Sequence, residues 1–569
     1  MRDGVALATD VYLPGREGRA LPGPWPVLLC RTVYGKGRSR WGQVFSSRGY
    51  ATVVQDVRGR FDSEGTFYPY LAEGQDGYDA VEWAAAQPWS NGSVGTFGRS
   101  YLAATQLALA MERPPHLKTM VVTAGTSNYY EDGFARGGAF SLLHNVGYLF
   151  HLASTSREAA AEPARLAPLK AAAADLASWV AAYPFDGATP LALAPPYQKW
   201  LEDWVEHPGF GPYWEQPGYM FETYHERFPD IPTYFVGGWY DIFLRGTLAN
   251  FVGLAQRNRS LTKLLVGPWV HAMGTRHAGD VDFGEPAIVD LETEHLRWFE
   301  EVMKGRDVGI LEEPRVTLFM MGGADRGRWE GRKSHGGGWR GLSAWPPRDL
   351  AARRYHLHAD GTLAAPLPTP APPSRFTVDP ADPVPTIGGG IDVGKELIPD
   401  GPRDQRCTPS RFGCRQPGPL SARSDVLVFQ TAPLEEELEI LGPVIVKLCV
   451  SSTAPDTDFT AKLIDVHPPS PEDPDGFAMN LCDGIVRMRH RAGAAVAPPM
   501  RPGEIVEITV DLLAIGNRFA RGHRIRLDVA STNYPFFDRN PGAGPPIENA
   551  VHHHPDQPSH VLLPLRPSH

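Results

Sequence analysis

The sequence predicts an α/β protein whose parallel sheet is interrupted by a helical insertion and followed by a β-rich C-terminal region. The first third alternates short β-prone apolar runs with helical stretches, which is typical of a parallel sheet covered on both faces. Strand patterns stop near residue 125 and return near residue 226, and beyond residue 313 helical periodicity gives way to dense Pro and Gly. With 569 residues, the chain has room for two or three domains.

The first part of the α/β core is assigned to residues 1–125. Proline ends each of its two helical stretches, because it cannot continue a helix. The strand runs are Val27–Cys30, Ala51–Val54, Val94–Phe97 and Thr119–Thr123, and the helices are Asp76–Gln87 and Tyr101–Glu112.

The helical insertion is assigned to residues 126–225. This segment is aromatic, rich in alanine and helical in pattern, for example over Ala159–Ala182, and it contains no convincing strand. Strands resume at Thr233–Val236 and Lys263–Val266. We therefore expect a helical cap that splits the core, whose second part covers residues 226–312.

The C-terminal region, residues 313–569, predicts a β-sandwich of the jelly-roll type. Short β-prone runs recur there with turn residues between them, and a proline-rich stretch over Pro366–Pro373 is interpreted as a loop. The runs are Val316–Met320, Val426–Phe429, Val444–Val450, Ile505–Val510, Ile525–Val529 and His560–Leu563.

Composition narrows the classes of partner. Hydrophobic residues make up 42% and charged residues 21%, as in ordinary globular enzymes. A formal net charge of −10 disfavours nucleic acid, and no run of 18 apolar residues predicts a membrane span. The N-terminus lacks the apolar region of a secretory signal, so we expect a cytoplasmic protein. The expected partner is a small molecule, with a homodimer as the candidate assembly.

The cysteines and histidines give no sign of a metal or a cofactor. Five cysteines are present; Cys407 and Cys414 are close enough in sequence to pair, but an odd, small number favours reduced thiols. No CxxC pair supports a zinc site. The run His552–His554 is interpreted as a solvated polar loop rather than a metal ligand set.

The segment Gly95–Ala103 (GTFGRSYLA) follows a strand run and opens a helix, which is the setting of a nucleophile elbow. The sharp turn needs a small residue before the nucleophile, and Gly98 supplies it. Ser100 then stands at a helix N-terminus, where free backbone N–H groups stabilise an anion. The motif alone is modest, because a serine that only caps a buried helix looks the same.

Two later strands end in residues that would complete a catalytic triad. Tyr234–Asp241 (YFVGGWYD) delivers Asp241, and Leu264–His271 (LLVGPWVH) delivers His271. Open α/β sheets place their active sites at the carboxyl ends of the strands. The order Ser, acid, His along the chain is that of α/β-hydrolases. A helix-capping role for Asp241 and a base at His277 are the alternatives. Three strand-end residues in the right order favour the triad.

An acyl-transfer site also needs donors for the oxyanion. The backbone N–H of Tyr101, directly after the nucleophile, is the first candidate. The second is the phenolic hydroxyl of Tyr34, in the loop after an early strand, although Tyr34 could instead be a packing residue at the loop edge.

Together these motifs resemble the CocE/NonD hydrolases, the family of cocaine esterase and a relative of the X-Pro dipeptidyl-peptidase group. The resemblance implies an α/β-hydrolase core, an inserted helical cap and a C-terminal jelly roll. It gives Ser100, Asp241 and His271 the triad roles, and Tyr34 and the Tyr101 amide the oxyanion hole. The matching segments span most of the chain: RDGVALATDVYLP from Arg2, RTVYGKGR from Arg31, QDVRGRFDSEG from Gln55, GRSYLA from Gly98, GGWYDIF from Gly237, GPWVH from Gly267 and DVLVFQT from Asp425.

By the same resemblance, Phe243 would line the acyl pocket, whereas Asp56–Gly65 would be structural. Ala103 stands where the family motif usually has glycine, and because alanine is small we expect the elbow to survive. The related α-amino ester hydrolases carry extra carboxylates just after the triad acid. Here Ile242 and Leu244 flank Phe243, which favours a neutral, apolar acyl group.

The sequence therefore predicts a serine hydrolase that cleaves carboxylic esters of small or aromatic acyl groups. An amide hydrolase of the same family, a β-lactam side-chain acylase or an X-Pro dipeptidyl peptidase, is the alternative. It would need carboxylates in the cap to hold an amine, for which Glu131, Asp132 and Glu158 are candidates. An inactive core with a carbohydrate-binding jelly roll is the remote alternative.

Overall fold

A mostly parallel sheet forms the centre of the α/β core. The computed structural model describes residues 1–38, 40–323, 327–493, 496–540 and 547–566. Among these residues the sheet runs in the order β1, β3, β2, β4, β5, β6, β7, β8, β9. The two edge strands, β1 and β9, pair antiparallel, and the others pair in parallel. The strands are β1 (Thr9–Tyr12), β2 (Trp25–Thr32), β3 (Ala51–Asp56), β4 (Ser90–Arg99), β5 (Leu117–Thr123), β6 (Thr233–Tyr240), β7 (Thr262–Val270), β8 (Val316–Gly322) and β9 (Gly337–Leu342).

Helices cover both faces of this sheet and build the insertion. The described helices are α1 (Trp41–Ser46), α2 (Glu73–Ala85), α3 (Tyr101–Met111), α4 (Leu142–Ser154), α5 (Arg157–Ala161), α6 (Pro163–Ala174), α7 (Leu176–Ala182), α8 (Pro195–Glu206), α9 (Leu244–Arg257) and α10 (Leu291–Lys304). None of the helices within the described ranges is long and apolar enough to cross a membrane.

Strand β2 shows how one apolar run serves both faces. Successive side chains on a strand point to opposite faces. Leu28 and Cys30 pack in one cluster with Phe299 of α10, whereas Leu29 packs in the other cluster with Leu107 of α3. A strand buried on both sides must be apolar throughout, which is why these strands are readable as continuous runs.

The insertion is helical, with two departures from the expected pattern. The stretch Ala159–Ala182 is not one helix, because Glu162 is extended before Pro163, which starts α6. The insertion also contains a hairpin of two-residue strands, Ala135–Arg136 and Ala139–Phe140. Strands this short leave no periodic signal, so the sequence did not reveal them.

From Ala351 onward the C-terminal region folds into two antiparallel sheets. The run Val316–Met320, which the sequence assigned to this region, lies instead in β8 of the core sheet. In the first, β13 pairs with β16, β18 and β19, while β10 pairs with β19 and β11 with β18. In the second, the order is β12, β17, β14, β15. The strands are β10 (Ala351–Leu357), β11 (Ala371–Val378), β12 (Leu427–Gln430), β13 (Leu438–Ser452), β14 (Asp458–His467), β15 (Phe477–Arg487), β16 (Val506–Phe519), β17 (Arg524–Ala530), β18 (Ile547–His554) and β19 (His560–Leu565).

The proline-rich stretch Pro366–Pro373 is not entirely a loop. Strand β11 begins at Ala371 and contains two prolines. Its pairing with β18 shifts register between Ala371 and Ser374. Proline is tolerated at such an irregularity because the missing N–H would not have joined the ladder there.

The expectation of reduced thiols at Cys407 and Cys414 is wrong, because the two form a disulfide. A small hairpin, Arg406–Cys407 with Gly418–Pro419, closes the segment between them. The three remaining cysteines are Cys30 and Cys449, which are buried in strands, and Cys482 on β15. The odd total arises because three cysteines with free thiols accompany one disulfide. The number of cysteines alone does not reveal such a combination.

The expectation of a solvated loop at His552–His554 is wrong for the loop and for His553, whereas the His554 side chain is 53% exposed. These residues end strand β18, and His553 is only 1% exposed. Its Nδ1–H donates to the carbonyl of Leu357 at 2.9 Å, and its Nε2 lies 2.8 Å from the Ser374 hydroxyl. The polar look of the run concealed a buried histidine whose two ring nitrogens are both satisfied.

Candidate active site

Ser100 lies on the turn between strand β4 and helix α3. Its φ is +65° and its ψ −123°, a conformation that non-glycine residues rarely adopt. The turn is tight before it as well, since a Cβ on Gly98 would lie 2.5 Å from the Cβ of Leu102. Ala103 is fully buried beneath the turn. The strained strand-to-helix turn thus forms with alanine at the position where glycine is usual.

Asp241 and His271 meet beyond the ends of adjacent strands. Strands β6 and β7 pair in parallel, so their carboxyl ends lie side by side. His271 Nδ1 is 2.6 Å from Asp241 Oδ2, which is a short, charge-assisted contact. The other carboxylate oxygen of Asp241 accepts the backbone N–H of Phe243 at 2.8 Å. Asp241 is fully buried, and the side chain of His271 is 16% exposed.

Tyr34 follows strand β2 and faces Ser100. Its hydroxyl lies 3.2 Å from that of Tyr148 on cap helix α4. Burial raises the pKa of Tyr34, and hydrogen bonds with Tyr148 and Ser100 oppose this rise. The hydroxyl therefore stays protonated and remains available as a donor beside Ser100.

The Tyr101 side chain points away from the cavity and anchors the start of helix α3. Its hydroxyl donates to Glu73 Oε1 at 2.8 Å and accepts the backbone N–H of Tyr70 at 3.0 Å. Arg31 donates to the other oxygen of Glu73 at 2.6 Å. This network holds the first turn of α3 in place, and the backbone N–H of Tyr101 is among those that a helix start leaves without an intrahelical partner.

The loop that carries Tyr34 is fixed from behind by the segment Asp56–Gly65. Asp56 Oδ1 accepts the backbone N–H of Lys36 at 2.6 Å. The fully buried Arg60 donates to the Val33 carbonyl at 3.0 Å and to the Leu152 carbonyl of the cap at 2.8 Å. The segment thus has contacts that fit the structural role expected of it.

A cavity of about 320 Å³ brings the expected site residues together. Ser100, His271, Tyr34 and Phe243 all line it. The ring of Phe243 meets that of His271 edge to face at 5.9 Å. The cavity is closed by the cap on one side and by a C-terminal loop on the other, so all three regions of the chain contribute to its wall.

Part of this wall is formed by residues that no sequence motif indicated. His144 and Tyr148 of helix α4 and Asp392 of the C-terminal region also line the cavity. His144 Nδ1 lies 2.9 Å from Asp392 Oδ1. Neither lies in a recognisable motif, and only the packing of the cap and the C-terminal region brings them together.

The three cap carboxylates considered for an amine site lie elsewhere. Glu131, Asp132 and Glu158 are absent from the described residues that line the cavity. Asp132 Oδ1 is instead 2.7 Å from Nε of Arg245, and Glu131 accepts the backbone N–H of Gly137 at 3.2 Å. Two of the three are thus engaged in contacts within the fold.

Similarity to known proteins extends over nearly the whole chain. Residues 3–273 match the family described as X-Pro dipeptidyl-peptidase (S15 family), and residues 309–562 match the X-Pro dipeptidyl-peptidase C-terminal non-catalytic domain. Cocaine esterase of Rhodococcus sp. (strain MB1 Bresler) is 34% identical, across 99% of this chain and 97% of that protein.

Solved structures show the same architecture. An α-amino acid ester hydrolase is 25% identical with a TM-score of 0.76, covering 100% of this chain and 95% of the other. A CocE/NonD family hydrolase from Staphylococcus aureus is 19% identical with a TM-score of 0.67, covering 99% and 92%, and this likeness concerns the fold. From the identity to cocaine esterase over the full length and the two matching family models, the chain belongs to the CocE/NonD family of serine hydrolases.

Proposed function

We propose that this protein hydrolyses carboxylic esters through an acyl-enzyme on Ser100, with His271 as the base and Asp241 as the acid that orients it. The observation that carries the proposal is the contact of 2.6 Å between His271 and Asp241, together with the cavity that His271 and Ser100 both line. The names of its relatives, cocaine esterase and α-amino acid ester hydrolase, point to ester substrates.

The first half-reaction forms the acyl-enzyme. His271 Nε2 takes the proton of the Ser100 hydroxyl as the oxygen attacks the ester carbonyl carbon. Asp241 holds the Nδ1–H and stabilises the imidazolium that forms. As the tetrahedral intermediate collapses, the bond to the alcohol oxygen breaks, and His271 returns the proton to the leaving alcohol.

The second half-reaction uses water in place of the serine. His271 takes a proton from the water, which attacks the acyl carbon, and the proton is then delivered to Ser100 as the acid leaves. In both steps the negative oxygen would be stabilised by the Tyr34 hydroxyl and the Tyr101 backbone N–H. Each such donor contributes about 3–4 kcal/mol to transition-state stabilisation.

Small and aromatic acyl groups fit the cavity. Its walls include the rings of Phe243, Tyr148 and Tyr70, which offer flat apolar surface. The volume of about 320 Å³ lies at the lower end of the range for small-molecule sites. Amide cleavage by the same triad is the second candidate, because the matching family model is named for a dipeptidyl peptidase.

The proposal is tested by hydrolysis of 4-nitrophenyl acetate and of the matching anilide by the wild type and by Ser100→Ala. We expect kcat for the ester to fall at least about 10³-fold in the variant. Ser410→Ala, a change at an exposed serine of the C-terminal region, serves as the matched control and should leave the rate unaltered.

A fluorophosphonate reagent gives an independent readout. It should add its mass to the peptide that contains Ser100 in the wild type and in Ser410→Ala, and not in Ser100→Ala. Hydrolysis that persists in Ser100→Ala would place the nucleophile elsewhere and refute the triad. Faster turnover of the anilide than of the ester would move the assignment to the amide-cleaving branch.

A further inference from the structure

A second histidine–carboxylate pair lies in the same cavity as the proposed triad. The side chains of His144 and Asp392 are 3% and 7% exposed, and both residues line the cavity with Ser100. His144 belongs to helix α4 of the cap, whereas Asp392 lies in the loop between strands β11 and β12. The hydrolytic mechanism above does not require this pair.

The loop that carries Asp392 is positioned at the cavity by close packing against its neighbours. A Cβ on Gly390 would lie 3.3 Å from the carbonyl carbon of Asp241, so the loop runs directly against the loop of the triad acid. On the other side, a Cβ on Gly394 would lie 2.5 Å from Leu143 of helix α4. The loop thus fits between the catalytic edge of the sheet and the cap, with Asp392 at the point that faces the substrate space.

The hydrogen bonds of the pair leave acceptor capacity in the cavity. Asp392 Oδ1 accepts from His144 Nδ1 at 2.9 Å and from the backbone N–H of Val393 at 2.9 Å. Within the described residues, no hydrogen bond engages Asp392 Oδ2, and His144 Nε2 is buried without a partner. Asp392 Oδ2 can therefore accept a hydrogen bond from a ligand in the cavity, and such a donor would offset the cost of a nearly buried carboxylate oxygen that lacks one.

The charge of the cavity favours the same kind of ligand. Burial alone would raise the pKa of Asp392, but the charges and hydrogen bond of His144, with a contribution from His271, hold it below its ordinary value. Asp392 is therefore a carboxylate. Glu396 also lines the cavity, and the basic side chains among the described lining residues are histidines, His144, His151 and His271. A carboxylate with an open oxygen in this setting attracts hydrogen-bond donors.

We propose that Asp392, held in place by His144, forms a subsite that binds a hydrogen-bond donor on the acyl group of the ester, either a hydroxyl or an ammonium group. This inference rests on the proposed function and specifies its substrate class. It revises the expectation of a neutral, apolar acyl group, which considered only the residues that follow Asp241.

The test compares three methyl esters that differ in one substituent: phenylacetate, mandelate with an α-hydroxyl, and phenylglycine with an α-ammonium. Values of kcat/KM are measured for the wild type and for Asp392→Asn. We expect the substitution to lower kcat/KM for at least one donor-bearing ester about tenfold more than for phenylacetate. Because intrinsic reactivity is the same for both proteins, it cancels in this ratio. The ester that loses more identifies the donor, hydroxyl or ammonium.

Asp556→Asn is the matched control, because it makes the same change on an aspartate of the same domain whose side chain is 87% exposed. It should leave all three ratios as they are in the wild type. An equal loss on all three esters in Asp392→Asn would show that the pair only ties the loop to helix α4, and would overturn the subsite.

The wild type alone provides a second test if Asp392→Asn does not fold. Its kcat/KM values, each divided by the rate of hydroxide-catalysed hydrolysis of the same ester, should favour mandelate or phenylglycine over phenylacetate. If the corrected kcat/KM for phenylacetate is at least as high as those for mandelate and phenylglycine, the subsite is overturned and the esterase proposal stays intact. Inactivity towards all esters, 4-nitrophenyl acetate included, would overturn both proposals.

Discussion

Ser100 holds a backbone conformation that few non-glycine residues adopt, and this strain is tied to its position. A positive φ lifts the side chain off the sheet and directs the following N–H groups towards the same space. The neighbours that allow the turn are small or buried: Gly98 before it and Ala103 after it. The same nine-residue motif therefore specifies the proposed nucleophile, the turn and one proposed oxyanion donor.

Tyr34→Phe removes a single oxygen atom from the proposed oxyanion hole. If the hydroxyl stabilises the intermediate, kcat for 4-nitrophenyl acetate should fall about 100-fold, with little change in KM, because the contact forms mainly in the transition state. Tyr78→Phe, on helix α2 beside Arg2, is the matched control and should behave as the wild type. A Tyr34→Phe enzyme with normal kcat would reduce Tyr34 to a packing residue.

The expected site residues were readable because each one ends a strand. Ser100, Asp241 and His271 follow β4, β6 and β7, and parallel strands bring their carboxyl ends to one edge. The position of each residue directly after a strand can be recognised from the neighbouring residues in the sequence. His144 and Asp392 carry no such information, because a helix of the cap and a loop of another domain reach the cavity only through tertiary packing.

At the scale of elements, helix α10 carries a titratable group in its buried face. His295 is 5% exposed and its ring stacks on Trp41 at 6.0 Å. Neither ring nitrogen has a hydrogen-bond partner in the described part of the chain. Burial lowers the pKa of His295 to about 4. The packed helix therefore requires a neutral imidazole.

This requirement predicts a loss of stability in mild acid. In the unfolded chain a histidine has a pKa of about 6.5, so the unfolded state binds more protons between pH 6.5 and pH 4. Stability is complete above this window and falls as pH is lowered through it, by about 2 kcal/mol at pH 5 from His295 alone. The thermal midpoint of His295→Phe should drop less between pH 7 and pH 5 than that of the wild type, by a few degrees.

The control for this comparison is His116→Phe, a change at a histidine whose side chain is 46% exposed. Its midpoint should not show the reduced acid sensitivity expected of His295→Phe. Equal acid sensitivity of His295→Phe and the wild type would mean that α10 accommodates the charged ring.

The disulfide between Cys407 and Cys414 gives a prediction that needs no variant. In denaturant without reductant, a thiol reagent should titrate three groups per chain, Cys30, Cys449 and Cys482. After reduction it should titrate five. Five thiols before reduction would show that the pair is open in the purified protein.

At the scale of the whole molecule, the cap is fastened to the C-terminal region by a short hairpin and a buried charge cluster. The turn of the hairpin needs glycine, since Gly137 has a φ of +53° and a Cβ there would lie 2.0 Å from the Ile485 carbonyl oxygen. On its following strand, the backbone N–H of Phe140 donates to Asp538 at 3.0 Å. These contacts hold the cap, which lines the cavity beside Ser100, against the C-terminal region.

Sequence patterns revealed the presence of these regions but not their attachment. The β-prone run Val444–Val450 predicts a strand because its signal is local, and that stretch lies within β13. Strands β14 and β15 were missed: β14 carries Asp458, and Arg487 ends β15, where both are buried. Buried charges interrupt the apolar pattern, and only their pairing in the folded chain makes them compatible with a core.

Arg487 is the centre of that pairing. Its guanidinium donates to both oxygens of Asp458, at 3.0 and 2.9 Å, and to both oxygens of Asp538, at 3.1 and 2.8 Å. All three side chains are at most 6% exposed. Removing the arginine would leave two carboxylates buried without their counter-charge, which is far more costly than losing an exposed ion pair.

Arg487→Leu should therefore destabilise the protein by about 3–5 kcal/mol, measured by chemical unfolding. The matched control is Arg489→Leu, two residues along the chain, where the side chain is 37% exposed and pairs with Asp456 at 2.7 Å. Arg489→Leu should lower the free energy of unfolding by no more than about 1 kcal/mol.

Arg487→Leu should also affect activity, because Asp538 accepts a hydrogen bond from the cap hairpin. At temperatures where Arg487→Leu is still folded, its kcat/KM for 4-nitrophenyl acetate should be lower than that of the wild type. Equal stability and activity of the two variants would show that the cap is held to the C-terminal region by apolar packing rather than by this charge cluster.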